Sequence, residues 1–377
     1  MTGTLPGRAL AAVLTDFGQP LELRELAIPA PAPGALIVDV IATSVCATDV
    51  HLWEGALRGV LPGGGLPMIL GHETIGRIVA FGPGPRTDSF GSPLAEGDRI
   101  AWTHEFCERC DVCNRVGLPM LCPNRRAAMF AGTDAFPHLT GGFATHQYVW
   151  ENAKRIRVPD DLDDTWAAAA TCAGRTVTVA FGTAGRIRSG ETVVIQGSGP
   201  LGLFATAMAA VAGPAQLIVI GDAGPRLEVA REWGATATIS LADVSTPEGR
   251  IAAVRELTGG RGADVLFELS GRAATFAEGV EMAGRGARYV IAGIVDGEAA
   301  QIRPGRITNG RLRVSGVFSS EIGECHEVFE FMRRFRGRFG WDRMISGRYS
   351  LDQATQALTA MRQHSEIKPV VIPGAAR

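Results

Sequence analysis

The chain has 377 residues, enough for two domains of ordinary size, with 46% hydrophobic residues, 20% charged residues and a formal net charge of −2. A balance so near neutrality gives no bulk attraction to nucleic acid or to an anionic membrane. The longest nearly unbroken apolar run, 201–213, is too short to span a bilayer, and the N-terminal apolar run is broken by Asp16, so neither a membrane helix nor a secretory signal is expected.

From Leu10 to about residue 160, short apolar runs are cut by Gly and Pro. Residues 35–42 read as a buried strand, and 68–70, 75–81, 99–102 and 145–150 continue the pattern. Short strands separated by turns predict a β-rich domain without long helices. Residues 81–97 are rich in Gly, Pro, Ser and Asp and read as an exposed loop. The character changes after Pro159. Residues 163–174 are Ala-rich and helix-like, with Asp163, Asp164 and Thr165 as candidate caps. A strand over 192–196, a glycine loop, and an apolar helix to Ala212 follow. Then come a strand over 217–220, a helix over 225–233, and strands over 265–269 and 289–292. Strand alternating with helix predicts a doubly wound parallel sheet. Beyond Val317, helices are expected over 321–335 and 350–362, and a last strand over 367–372.

Three short motifs carry chemistry in the first part. Cys46-Ala47-Thr48-Asp49-Val50-His51, Gly71-His72-Glu73 and Thr171-Cys172-Ala173 together offer two thiolates and one imidazole. Cys46, His72 and Cys172 would make a catalytic zinc set with the fourth position open. Cys107, Cys110, Cys113 and Cys122 are the strongest signal: four thiolates within sixteen residues, separated by polar residues unsuited to a core. They can close a tetrahedral, structural zinc shell. Seven cysteines with four at metal-like spacing fit a reduced, cytoplasmic interior better than a disulfide framework.

Gly197-Ser198-Gly199-Pro200-Leu201-Gly202 follows a strand and opens a helix, as a dinucleotide loop requires. Gly197 would make the turn, Gly199 would let the backbone approach a pyrophosphate, and Gly202 would let helix and strand pack closely. Asp222 lies where an acid would accept bonds from an adenosine ribose, which favours NAD. Its neighbour Gly221, with Arg226 nearby, would admit the 2′-phosphate of NADP. Ala292 and Val317 join the expected cofactor-binding residues.

These motifs, with Gly97-Asp98-Arg99, Gly141-Gly142-Phe143-Ala144 and Cys172-Ala173-x-x-Thr176-Val177, resemble the zinc-containing medium-chain dehydrogenase/reductase family of the alcohol dehydrogenase type. The resemblance covers nearly the whole chain. It implies a GroES-like catalytic domain over 1–174 and 315–377, with a structural-zinc lobe at about 104–124, and a Rossmann domain inserted over 175–314. It implies that Glu73 approaches the catalytic metal, that Asp49 orients His72, and that Thr48 and His51 begin and end a proton relay. Thr176 would pack on the nicotinamide, and Lys368 would meet the pyrophosphate. Ala47 stands where some relatives have a cation, the gap before Cys122 is one residue longer than expected, and Asp222 is displaced by about one place from the usual acid.

The expected function is a zinc-dependent alcohol dehydrogenase that takes a small alcohol or carbonyl substrate, uses NAD rather than NADP, holds two zincs per chain and forms a homodimer or homotetramer. Thr103, in place of a bulky side chain, suggests room for a secondary or cyclic alcohol, with Trp53, Leu57 and Trp102 as further pocket candidates. Two rivals are a metal-independent quinone or enoyl reductase keeping only the structural zinc, and a non-catalytic NAD(H)-sensing zinc protein. The complete Cys46/His72/Cys172 set argues against the first, and the Thr48/His51 relay against the second.

Overall fold

The computed structural model describes residues 5–60, 65–126, 129–293 and 299–374. The chain divides into two compact units: Met1–Cys172 with Ser320–Arg334 and Ile345–Arg377, and Ala173–Ser319 with Phe335–Met344.

The first unit is β-rich. A three-stranded sheet runs in the order Glu22–Ala27, Arg8–Leu14, Met68–Ile69. A seven-stranded sheet runs Gly347–Tyr349, Pro369–Val371, Leu36–Ser44, Glu73–Phe81, Arg99–Glu105, Ala153–Arg157, and His146–Val149 also pairs with Leu36–Ser44. The central strand Leu36–Ser44 is almost wholly buried, which explains its continuous apolar run. Its register sets the site described below. Ser44 pairs with Glu73 on one side and with Val370 on the other. The apolar core includes Val13, Leu14, Val45, Trp53, Ile69, Phe143, Leu358 and Val371. Trp53 belongs to this core, with its indole N–H on the Gln19 carbonyl at 2.7 Å. Trp102 belongs to a second cluster with Leu36, Val38 and Ile100.

The Ala-rich stretch is helical, but not as one uniform helix. Asp163 caps Asp164–Ala169, its carboxylate accepting from Thr165 N at 2.8 Å and Trp166 N at 3.3 Å. A π-helical turn, Ala170–Gly174, interrupts the run before the helix Arg175–Ala184. Cys172 lies in that turn, a wide helical turn of a kind found often at functional sites.

The second unit is a six-stranded parallel sheet. In spatial order its strands are Ala237–Ser240, Gln216–Gly221, Thr192–Gln196, Ala263–Glu268, Ala283–Ile291 and Arg313–Gly316. Numbered along the chain, this is the 3-2-1-4-5-6 order of a Rossmann sheet, which reverses direction between Thr192–Gln196 and Ala263–Glu268. The expected boundaries need two corrections. Arg313–Gly316 pairs with Ala283–Ile291, so the unit continues past residue 314. Phe335–Met344 also belongs here, because buried Trp341 packs on Trp233 at 5.1 Å and on Phe204 at 5.8 Å. A fully buried Trp is worth about 3–5 kcal/mol against Ala, enough to outweigh position in the sequence. No helix among the described residues is long and apolar enough to cross a membrane.

Candidate active site

The first functional cluster grows from the strand ends of the β-rich unit. Cys46 is extended (φ −106°, ψ 159°) and caps the helix Ala47–Trp53. The side chain of Asp49, in the first turn, folds back and is wholly buried. Its Oδ2 accepts from Cys46 N at 2.8 Å, its Oδ1 accepts from Gly71 N at 2.9 Å, and the same Oδ1 lies 3.4 Å from His72 Nδ1. One carboxylate thus ties the Cys46 turn to the His72 turn. With Nδ1 facing Asp49, Nε2 of His72 is the nitrogen left for a ligand.

Cys46, His72, Glu73 and Cys172 bring one ligand atom each to within 4.8 Å of one another. The electrostatics suit a cation at their centre. The Cys46 thiol is held well below its usual range by the hydrogen bond from Cys172 and by His72, against burial. Burial alone would lower the His72 pKa, but the Asp49 charge and hydrogen bond and the neighbouring Cys46 raise it well above the usual value. Burial pushes the Glu73 carboxyl up to about 7, although Lys368 pulls the other way. Glu73 Oε2 accepts a short hydrogen bond from Ser44 Oγ and an ion pair from Lys368 Nζ at 2.5 Å, whereas its buried Oε1 finds no hydrogen-bond partner among the described residues. Two sulfurs, an imidazole and a carboxylate oxygen make a donor set that fits zinc.

Lys368 is more deeply buried than a surface lysine: its side chain is only 1% exposed and its ammonium pairs with Glu73. The signal that could have shown this is a lone charge entering the apolar run Ile367-Lys368-Pro369-Val370-Val371. Ser44 was missed altogether, because a hydroxyl ending an apolar strand carries no motif. Thr48 and His51 lie three residues apart on the helix Ala47–Trp53, both half-buried, with Thr48 Oγ1 3.8 Å from Cys46 Sγ. That spacing sets them on one helix face. Thr103 is buried, and its hydroxyl donates to the His104 carbonyl at 2.9 Å.

The second cluster is the four-cysteine lobe. Cys110 and Cys113 sulfurs are 3.5 Å apart, Cys110 and Cys122 3.8 Å, and Cys107 and Cys122 3.4 Å, and none of these cysteines forms a disulfide. A zinc tetrahedron with 2.3 Å bonds has edges of about 3.8 Å, so the lobe fits a structural zinc.

In the Rossmann unit, Gly197 N donates to the Ile220 carbonyl at 2.8 Å, and Gly199 caps the helix Pro200–Ala212. A Cβ on Gly202 would lie 1.9 Å from the Gly197 carbonyl oxygen, so close packing requires glycine there. A Cβ on Gly199 would meet nothing nearer than the Arg226 guanidinium at 3.9 Å. The protein itself therefore does not need that glycine, and the open space suits a phosphate approaching the helix N-terminus. A Cβ on Gly221 would strike Ser198 Oγ at 2.1 Å. The strand Gln216–Gly221 must end without a side chain, and Asp222 follows it directly. The Arg226 pKa is lowered by burial and raised by Asp222. Thr176 lies in the first turn of Arg175–Ala184. Ala292 N and Val317 N donate to the Glu268 and Ile291 carbonyls at the ends of neighbouring strands. Glu268, not anticipated, is wholly buried at the same edge, where it accepts from Ser270 N, Ser270 Oγ and Gly271 N.

A Rossmann unit with an open glycine loop, a β-rich unit with a Cys/His/Glu/Cys cluster and a four-thiol lobe define a zinc-binding, NAD(P)-dependent oxidoreductase. The alcohol dehydrogenase GroES-like domain profile matches residues 32–160, and the zinc-binding dehydrogenase profile matches residues 200–334. The chain belongs to the zinc-containing medium-chain dehydrogenase/reductase family, of the alcohol dehydrogenase type. It is 34% identical to 5-exo-hydroxycamphor dehydrogenase of Pseudomonas putida, over 96% of this chain and 98% of the relative. It is 29% identical to L-threonine 3-dehydrogenase of Pyrococcus horikoshii, over 94% and 96%. An alcohol dehydrogenase from Thermotoga maritima superposes with a TM-score of 0.89 at 31% identity, covering 97% of this chain and 99% of that one. A zinc-binding dehydrogenase from Sinorhizobium meliloti, bound to NADP, gives 0.81 at 29% identity, covering 98% and 100%.

Proposed function

We propose that the chain is an alcohol dehydrogenase that interconverts a secondary or cyclic alcohol and its carbonyl with NAD(P), NAD being preferred. The observation that carries this reading is the convergence of Cys46, His72, Glu73 and Cys172 ligand atoms within 4.8 Å. When bound, zinc supplies a Lewis acid to the substrate oxygen, and the nicotinamide takes up or returns hydride. Cys46, His72 and Cys172 would hold the metal, with Glu73 close to the same cluster. Asp49 lies against Nδ1 of the His72 ring, which would leave Nε2 to bind the metal. Thr48 takes the hydroxyl proton of the substrate and passes it towards His51. The backbone at Gly199 receives the pyrophosphate, and Asp222 accepts from the adenosine ribose. Two relatives are named for secondary alcohols, 5-exo-hydroxycamphor and the 3-hydroxyl of L-threonine, which supports that substrate class.

Zinc analysis followed by a substrate screen tests the proposal. The expected result is two zincs per chain, and oxidation of bicyclic or cyclic secondary alcohols at least about tenfold more efficient in kcat/KM than that of ethanol. Fitting a larger apolar substrate is worth at least ~1–3 kcal/mol in such a pocket. One zinc per chain, with activity only on activated alkenes or quinones, would replace this reading with the metal-independent reductase.

The glycine loop gives a second test. Gly199→Ala should leave the thermal midpoint within about 2 °C and weaken NADH binding by about tenfold or more, as read by nucleotide fluorescence. Gly202→Ala should destabilise the protein itself by roughly 1–3 kcal/mol, because the new methyl overpacks the Gly197 carbonyl. If the two variants behave alike, the loop does not divide its glycines between packing and ligand approach.

A further inference from the structure

A concave, arginine-lined surface of the Rossmann unit has no part in the function proposed above. It arises from sheet geometry. Arg288 and Arg313 are register partners on the neighbouring parallel strands Ala283–Ile291 and Arg313–Gly316, so their side chains leave the same face of the sheet. Phe267 is the register partner of Val290, two residues on from Arg288, and shares that face. Phe181, in the helix Arg175–Ala184, stacks on Phe267 with ring centroids 4.6 Å apart, so this helix covers the same face. The helix stops at Gly185, whose φ of 72° turns the chain away. Where it stops, a cavity of about 530 Å³ is left, lined by Ala184, Gly185, Arg186, Arg188, Arg288 and Arg313. An adjoining cavity of about 670 Å³ shares Gly185, Arg186 and Arg188 and adds the apolar side chains of Phe181, Ile187 and Ala212.

Four guanidinium groups around one cavity do not reflect bulk composition, because the chain carries a formal net charge of −2. One of the four is structural. Arg288 Nη1 donates to the carbonyls of Ala184 and Arg186, both at 2.8 Å, and its Nη2 meets Glu191 Oε2 at 2.5 Å. The same Glu191 oxygen accepts from Arg188 N at 2.8 Å, so that carboxylate is already engaged. Arg186, Arg188 and Arg313 are exposed, and none of their guanidinium groups has a carboxylate partner among the described residues. We infer that this cavity binds a small molecule carrying a phosphate or pyrophosphate group, held by Arg186, Arg188 and Arg313, with its apolar part against Phe181 and Ile187. A carboxylate satisfies one guanidinium fork, whereas a phosphate offers three oxygens and nearly two charges, enough for several forks at once. The cavity volume is ordinary for a small-ligand site. The site is distinct from the dinucleotide loop. Arg188 comes just before the strand Thr192–Gln196 and the glycine loop just after it, and Arg288 lies level with Val193 through Val265, so the arginines sit at the opposite edge of the sheet.

Calorimetric titration of the full chain with inorganic pyrophosphate tests this, with NADH kept saturating so that the glycine loop is occupied. The wild type should take up one pyrophosphate per chain with a Kd below about 1 mM. The double variant Arg186→Ser, Arg188→Ser should bind it at least about tenfold more weakly, and Arg313→Ser at least about threefold, from the loss of charge-assisted hydrogen bonds. Raising the salt concentration should weaken uptake by the wild type, because the three side chains are exposed. NADH affinity should be unchanged throughout. Arg288 is left in place, since it anchors the helix end. No uptake by the wild type up to about 1 mM would overturn the inference. So would equal uptake by the wild type and the variants, which would put the anion elsewhere, at a metal for example. A dimer in sedimentation that Arg313→Ser splits, with no pyrophosphate bound by the wild type, would overturn it too, and would show that a second copy of the chain covers these arginines.

Discussion

Replacing Cys46 or Cys172 with serine is expected to lower kcat by about 10³-fold or more, to reduce zinc from two to one per chain, and to leave NADH affinity within about threefold of the wild type. The rate estimate follows from losing several kcal/mol of Lewis-acid stabilisation, at 1.36 kcal/mol per tenfold. The unchanged nucleotide affinity follows from the architecture. Both cysteines belong to the β-rich unit, whereas the glycine loop, Asp222 and Arg226 belong to the Rossmann unit. The measurement pairs steady-state kinetics with elemental analysis and a fluorescence titration. Full turnover with a single zinc would show that the cluster is not catalytic. A parallel loss of NADH binding would show instead that the substitution had damaged the protein beyond the metal site.

The second large effect is on stability. Cys110→Ser is expected to open the lobe around Cys107–Cys122 to proteases that the wild type resists, and to lower the thermal midpoint by roughly 10 °C. The lobe has little core of its own: Val116, Leu118 and Leu121 are 46%, 43% and 47% exposed. Its backbone is a π-turn over Val112–Val116 and a 3-10 turn over Pro119–Leu121, neither long enough to be stable alone. The convergence of four thiols is what holds these turns together, so binding energy at such a site becomes folding energy. A loss of roughly 3 kcal/mol corresponds to a shift of this size in a domain of 150–250 residues. Trypsin at Arg109 and Arg115 gives the readout. A lobe in Cys110→Ser as resistant as in the wild type would show that side-chain packing, and not the metal, maintains it.

Much of this was legible in the residue string because several signals depend on short-range spacing alone. The four thiols converge because their spacings are too short to allow much else once a metal is present. The strand–glycine loop–helix unit is local, as is the parallel alternation that follows it, and both follow from side-chain periodicity and turn chemistry. Asp163 could be named as a cap because an N-cap is read from its immediate neighbours. The placement of Phe335–Met344 in the Rossmann unit has a long-range cause. Phe335–Met344 is short and irregular, and its membership is decided by where Trp341 finds Trp233 and Phe204, more than a hundred residues earlier.

The sequence by itself determined the family, the two-domain class, both candidate zinc sets and the dinucleotide loop, since each rests on residue type at short spacing. Only the tertiary structure decided what each buried polar group does. Register across the central sheet, a property of strands far apart in the chain, brings Ser44, Glu73 and Lys368 together. Close approach of Ser198 leaves no room for a side chain at Gly221, and the folding of Asp49 onto two separate turns makes it the link between Cys46 and His72. These are long-range pairings, and they are selected because a buried charge or polar group left without its partner is costly, which no local pattern encodes.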